Sequence, residues 1–167
     1  DAAAARQERK AAAVIQEEAD RLYRQKDFVA ALSLYDALLT RYPEADAGHY
    51  ARYRVGTYYE SVGQPAQAAE AFAALSAERP ESRWANEART SLPGALFRAG
   101  RQEEAVAAWK QLAEAAASRE ERGCGYYNAG VLALSRGRTH YPEAIGCLQA
   151  AVKQGANTVY ASCARDL

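Results

Sequence analysis

Residues 56–80, GTYYESVGQPAQAAEAFAALSAERP, decide the fold. The stretch reads as the end of one helix, a tight turn, and a second helix antiparallel to the first. Gly63 supplies the residue that turns through φ > 0 where a helix stops. Pro65 stands where the next helix begins, at a position whose N–H has no intrahelical partner anyway. Ala68, Ala69, Phe72 and Leu75 then recur at helical spacing, and Pro80 closes the pattern.

Outward from this stretch, the same arrangement returns. Lys26, Gly63, Gly100 and Gly137 stand at a fixed step of 37 residues. Ala31, Ala68 and Ala105 keep that step, and Ala144 follows 39 residues later, so two residues are inserted after Gly137. Four residues beyond each Ala comes a large side chain: Tyr35, Phe72, Trp109 and Leu148. Pro43 and Pro80 close the first two copies. A fixed period of this size, with a helix–turn–helix in each copy, is the mark of an α-solenoid.

These residues resemble the tetratricopeptide (TPR) repeat. That family places a small residue at the eighth position of a unit, where Ala19, Gly56 and Gly130 stand here. It also places a small residue early in the second helix, an aromatic four residues on, and a closing Pro. The third copy departs from the pattern, with Pro93 in the small slot and no closing Pro. The resemblance implies an all-α fold, a right-handed α-solenoid of four TPR-like units at about 12–45, 49–82, 86–118 and 123–156. Residues 1–11 would prolong the first helix or form a frayed tail. Residues 157–167 would be a capping helix or the first half of a fifth repeat.

Composition narrows the function. At 167 residues the chain has the length of one domain with a sizeable core. Its 21 basic and 21 acidic residues cancel, which disfavours a nucleic-acid partner. No apolar run approaches the length of a membrane span. The chain has no Met, residue 1 included, which reads as a processed or excised piece. Cys124, Cys147 and Cys163 read as small buried hydrophobes, with a Cys124–Cys147 disulfide as the alternative.

No catalytic constellation stands out. His49 and His140 lie far apart in the sequence and outside any metal-binding motif, no cofactor is implied, and each glycine is a cap or a packing position. The chain therefore reads as a non-enzymatic scaffold. Locally, Asp27, Asp46, Ser82 and Asn157 are expected N-caps. Ser118–Gly123 (SREERG) is expected to be a polar linker. Pro93 is expected to bend or interrupt the third unit's first helix.

The resemblance also implies a binding surface, because TPR proteins use the inner face of each first helix. Carried onto this chain, the groove residues are Tyr23, Tyr50, Tyr53, Thr57, Glu60, Glu87, Phe97, Tyr127 and Val131. Tyr50 and Tyr53 read as groove rings, with packing between helices as the alternative. Lys and Asn, which serve family members that grip a C-terminal carboxylate, are replaced by Gln16 and Asp20. The expected partner is a protein or peptide; self-association through a terminal repeat is the alternative, and a regulatory subunit of a secretion or glycan-synthesis machine a third. The long step and the Thr40–Pro43 ending resemble TPR proteins of the bacterial cell envelope, which implies a periplasmic or envelope location, with the cytoplasm as alternative.

Overall fold

A computed structural model describes residues 2–167, and among these it contains helices and no strand. The α-helices are α1 (Ala2–Arg24), α2 (Phe28–Arg41), α3 (Asp46–Ser61), α4 (Pro65–Glu78), α5 (Arg83–Arg98), α6 (Gln102–Ala115), α7 (Arg119–Ser135), α8 (Tyr141–Gln154) and α9 (Val159–Arg165). One 3₁₀ turn, Arg138–His140, occupies the two-residue insertion after Gly137. The four turns of the 37-residue step share one backbone feature: φ is 64° at Lys26, 72° at Gly63, 77° at Gly100 and 98° at Gly137. The positive φ is what favours glycine at these turns, and Lys26 takes a positive φ with a side chain.

The helix starts follow local chemistry, with three departures from expectation. Asp27 caps α2 by accepting the Ala30 N–H at 3.2 Å, and Ser82 Oγ accepts the Trp84 N–H at 3.2 Å. Asp46 is not a cap: the N-cap is Ala45, and Asp46 is the first helical residue, where its charge complements the helix dipole. Asn157 is not a cap either. It sits at φ 67°, and Thr158 caps α9 through the Ala161 N–H. The expected linker at Ser118–Gly123 is helical from Arg119 onward. Ser118 and Glu121 exchange hydrogen bonds with each other's backbone N–H, a reciprocal cap that starts α7.

Pro93 does not interrupt α5, which is continuous from Arg83 to Arg98. Pro93 is fully buried, with Ala95 and Leu96 buried beside it, and that burial offsets the cost of a proline inside a helix.

The chain divides into two compact units, Asp1–Ala88 and Arg89–Leu167, and the division falls inside α5. In the first unit α1, α2, α3 and α4 pack in sequence order. Ala12, Ala19, Ala31, Tyr35, Leu38 and Ala51 form one buried cluster there. In the second, α6, α7, α8 and α9 pack in order, with α7 also against α9. Its cluster is Ala113, Tyr126, Leu148, Ala151 and Ala164. Small and large slots of the repeat meet in both units. A Cβ on Gly56 would lie 2.5 Å from the Phe72 ring, and one on Gly130 would lie 2.7 Å from Leu148.

Candidate partner-binding face

The first unit concentrates its rings and charges on α1 and α3. Asp20 and Tyr23 are three residues apart on α1, while Tyr50, Tyr53, Arg54 and Thr57 follow helical spacing on α3, so each set shares a face. At the centre is Asp20. Its Oδ1 accepts hydrogen bonds from the hydroxyls of Tyr35 on α2 and Tyr50 on α3, both at 2.6 Å. Arg54 completes the cluster. Its Nε donates to the Tyr35 hydroxyl at 3.2 Å and lies 3.7 Å from Asp20 Oδ1, and its guanidinium carbon lies 4.0 Å from the Tyr23 ring centre.

The electrostatics follow from this closeness. Burial, reinforced by the hydrogen bond to Asp20, pushes the Tyr35 phenol up to about 12, although Arg54 acts the other way. The same two causes, burial first, push Tyr50 well above the ordinary phenol value. For Arg54, burial opposes the charge. The Tyr35 hydroxyl and the surrounding phenols outweigh it, and the guanidinium is raised above its usual value. Both phenols therefore stay protonated donors and Arg54 stays a cation across the physiological range.

Beside this network lies an aromatic platform. The Tyr53 ring stacks on Trp84 at 5.6 Å and 29°, and it touches Phe72 at 5.8 Å. Tyr50 meets Trp84 edge-on at 4.7 Å. The Arg83 guanidinium carbon lies 4.6 Å from the Trp84 ring centre. Tyr23, Tyr50, Tyr53, Arg54 and Trp84 are all partly exposed, so the platform is packed yet within reach of solvent. Two nitrogens nearby in sequence, His49 Nε2 and Trp84 Nε1, are buried without a hydrogen-bond partner among the described residues.

The remaining expected groove residues are placed as follows. Thr57 is partly exposed, and its hydroxyl donates to the Arg54 carbonyl of its own helix at 2.8 Å. Glu60 is half-buried and Glu87 exposed. In the second unit Phe97 is 50% exposed and Val131 39% exposed, while the Tyr127 ring packs against Tyr160 of α9 at 5.9 Å. Thus the first unit brings Tyr23, Tyr50 and Tyr53 into one connected cluster. Arg54 and Trp84 were not singled out by the repeat pattern. Helical spacing would have found Arg54, four residues after Tyr50. Trp84 lies ahead of the third unit's groove positions and carries no such signal.

Other chemistry is sparse. The three cysteines are free, and burial raises the Cys147 thiol above its ordinary value. Among the described residues no group of His, Cys, Asp and Glu is arranged to hold a metal ion. No helix among the described residues is long and apolar enough to cross a membrane. A scan against protein-family models finds no match to this chain, and a search of curated proteins finds none.

Proposed function

We propose that this chain is a TPR-type helical-repeat protein, each copy a turn of a right-handed α-solenoid, and that it acts as a non-enzymatic scaffold. Its work is to hold a segment of a partner protein against the α1–α3 face. The observation that carries this reading is the Tyr50–Tyr53–Trp84 platform: Tyr50 is held by Asp20, Tyr53 and Trp84 by their contacts with one another and with Tyr50 and Phe72, and all three rings remain partly exposed. Rigid rings give contact area at low entropic cost, which suits a recognition surface. The envelope location rests on the resemblance of the repeat alone.

The test is selection of peptides from a random library on the immobilised chain, repeated on Tyr53→Ala. Truncating an aromatic anchor costs ~2 kcal/mol or more, roughly a 30-fold loss of affinity. Peptides that bind the wild type should lose binding to Tyr53→Ala at a temperature where both are folded. Tyr53 also touches Phe72 and Trp84, so its denaturation midpoint is measured alongside. A library that yields no Tyr53-dependent peptide refutes the reading. A second reading, self-association, is favoured by one feature: α9 leaves Val159 68% exposed. Sedimentation that shows only monomer at high concentration removes it.

A further inference from the structure

The Arg54 guanidinium uses only part of its hydrogen-bonding capacity. Nε is committed to Tyr35, and the planar group lies over Tyr23. Among the described residues its two terminal nitrogens make no hydrogen bond, and neither is fully buried. A guanidinium immobilised by a ring and one hydrogen bond, with two uncommitted terminal amines on a 22% exposed side chain, matches the geometry of a carboxylate's two oxygens. Ring support also removes rotamer freedom that an ordinary surface arginine would lose on binding.

We infer that Arg54 is the specificity anchor of the α1–α3 face and pairs with an acidic side chain within the partner segment, next to a large apolar side chain seated on Tyr53 and Trp84. This rests on the binding reading above. The spacing follows from the geometry. The Tyr50 ring centre is 6.0 Å from the Arg54 guanidinium carbon and 4.7 Å from the Trp84 ring centre. An extended chain advances roughly 3.3 Å per residue, so the two partner side chains stand within about three residues of each other. Asp20 sharpens the choice. Its carboxylate lies 3.7 Å from Arg54 Nε, so this one cation already balances one anion. A single further carboxylate can share it, whereas a second acid beside the first would meet repulsion from Asp20.

The experiment uses two random decapeptide libraries on the full chain, one displayed in a scaffold loop and the other with a free C-terminus. The loop library should enrich Asp or Glu within three residues of a Phe, Trp, Leu or Ile. Selected peptides, synthesised with both ends blocked, should lose about 10- to 100-fold in affinity when their Glu becomes Gln. Arg54→Gln should impose the same loss, and the two changes together should cost no more than either alone. The peptide-side change needs no protein variant, so the test survives if Arg54→Gln folds poorly. Three results overturn the inference. Tyr53-dependent peptides without acid enrichment leave the binding reading standing and remove this one. Enrichment only in the free-terminus library assigns the anchor to a chain end instead. No Tyr53-dependent peptide at all brings down both.

Discussion

The two compact units solve the same packing problem by different means. In the first, large rings fill the space between helices, and their hydroxyls must then be satisfied. Tyr35 and Tyr50 therefore converge on Asp20, and Arg54 balances the charge. Glycine approach occurs in both units, at Gly48 and Gly56 in the first, but in the second it recurs along α7 at Gly123, Gly125 and Gly130. A Cβ on Gly125 of α7 would lie 2.8 Å from the Ala113 Cβ and 2.9 Å from the Trp109 carbonyl oxygen. One on Gly155, after α8, would lie 2.6 Å from the Gly123 Cα. Ring packing that carries hydroxyls needs polar partners and leaves donors and a cation at the surface. Close backbone packing needs none. That difference is why the candidate face is argued for the first unit. It can also be measured unit by unit, because Trp84 lies in the first and Trp109 in the second. Trp109→Phe leaves a fluorophore for the first unit, and Trp84→Phe leaves one for the second.

The largest effect is expected where the first unit's polar centre is removed. Asp20→Ala takes the acceptor from two phenols and the counter-charge from Arg54 at once. Hydrogen bonds to a charged group contribute about 1.5–3 kcal/mol each, and members of one network do not add independently. A loss of about 3 kcal/mol is expected in the transition that Trp84 reports, with Asp20→Asn losing less because its amide oxygen still accepts. Urea denaturation followed by single-tryptophan fluorescence checks this. An unchanged Trp84 midpoint would mean that the network is ornamental and the contrast between the units false.

Gly125→Ala comes next and strikes the second unit. Alanine gains about 1 kcal/mol of helix propensity over glycine. Against that, the obstacles at 2.9 Å include the Ala113 backbone nitrogen and the Trp109 carbonyl oxygen, which cannot rotate away. Overpacking of this kind costs typically 1–3 kcal/mol, so a net loss of up to about 2 kcal/mol is expected in the transition reported by Trp109. Gly130→Ala is the internal control. Its Cβ would meet chiefly the end of the Leu148 side chain, which can shift, and its loss should be smaller.

How much of this was legible in the sequence divides along the same line. Turns were legible, because a left-handed residue is a local demand that glycine answers locally, and Gly63, Gly100 and Gly137 all stand there. The caps were less so. Asp and Asn can serve a cap, a first helical turn or a left-handed corner, and Asp46 and Asn157 take the second and third of these roles. The polarity of SREERG suggests a linker, but the spacing of Ser118 and Glu121 is itself a start signal. The small-against-large pairing of Gly56 with Phe72 was implicit in the repeat. The Asp20 network was not. Asp20 and Tyr50 are thirty residues apart and meet only through the packing of α1 and α3, which no local pattern reports.

Pro93→Ala should move the second unit the other way, by less. Alanine restores an amide hydrogen to the middle of α5 and removes the ring, a change worth ~3 kcal/mol in an unconstrained helix. The position is fully buried, so the missing ring atoms leave a space whose cost is about 1–2 kcal/mol. A gain of about 1 kcal/mol is expected in the Trp109 transition. A loss would show that the helix has already relaxed around the proline, leaving only the cavity to be felt.

The smallest effect concerns what the two units share. Lys26 holds φ 64° at the place where the other three copies have glycine at 72°, 77° and 98°. A non-glycine residue in the left-handed region costs roughly 1 kcal/mol. Glycine removes that strain but gives the unfolded chain more freedom to lose, which returns part of the gain. Lys26 is exposed, so its side chain leaves no cavity when removed. Lys26→Gly should therefore stabilise the first unit by about 0.5 kcal/mol, read from the Trp84 midpoint. The reciprocal change, Gly100→Lys, meets no atom within 4 Å of the new Cβ and should cost a similar amount through the backbone alone. If Lys26→Gly is instead destabilising by more than 1 kcal/mol, the lysine side chain contributes something at that turn that its exposure does not show. The four turns would then not be equivalent, and the repeat would hold in spacing but not in energetics.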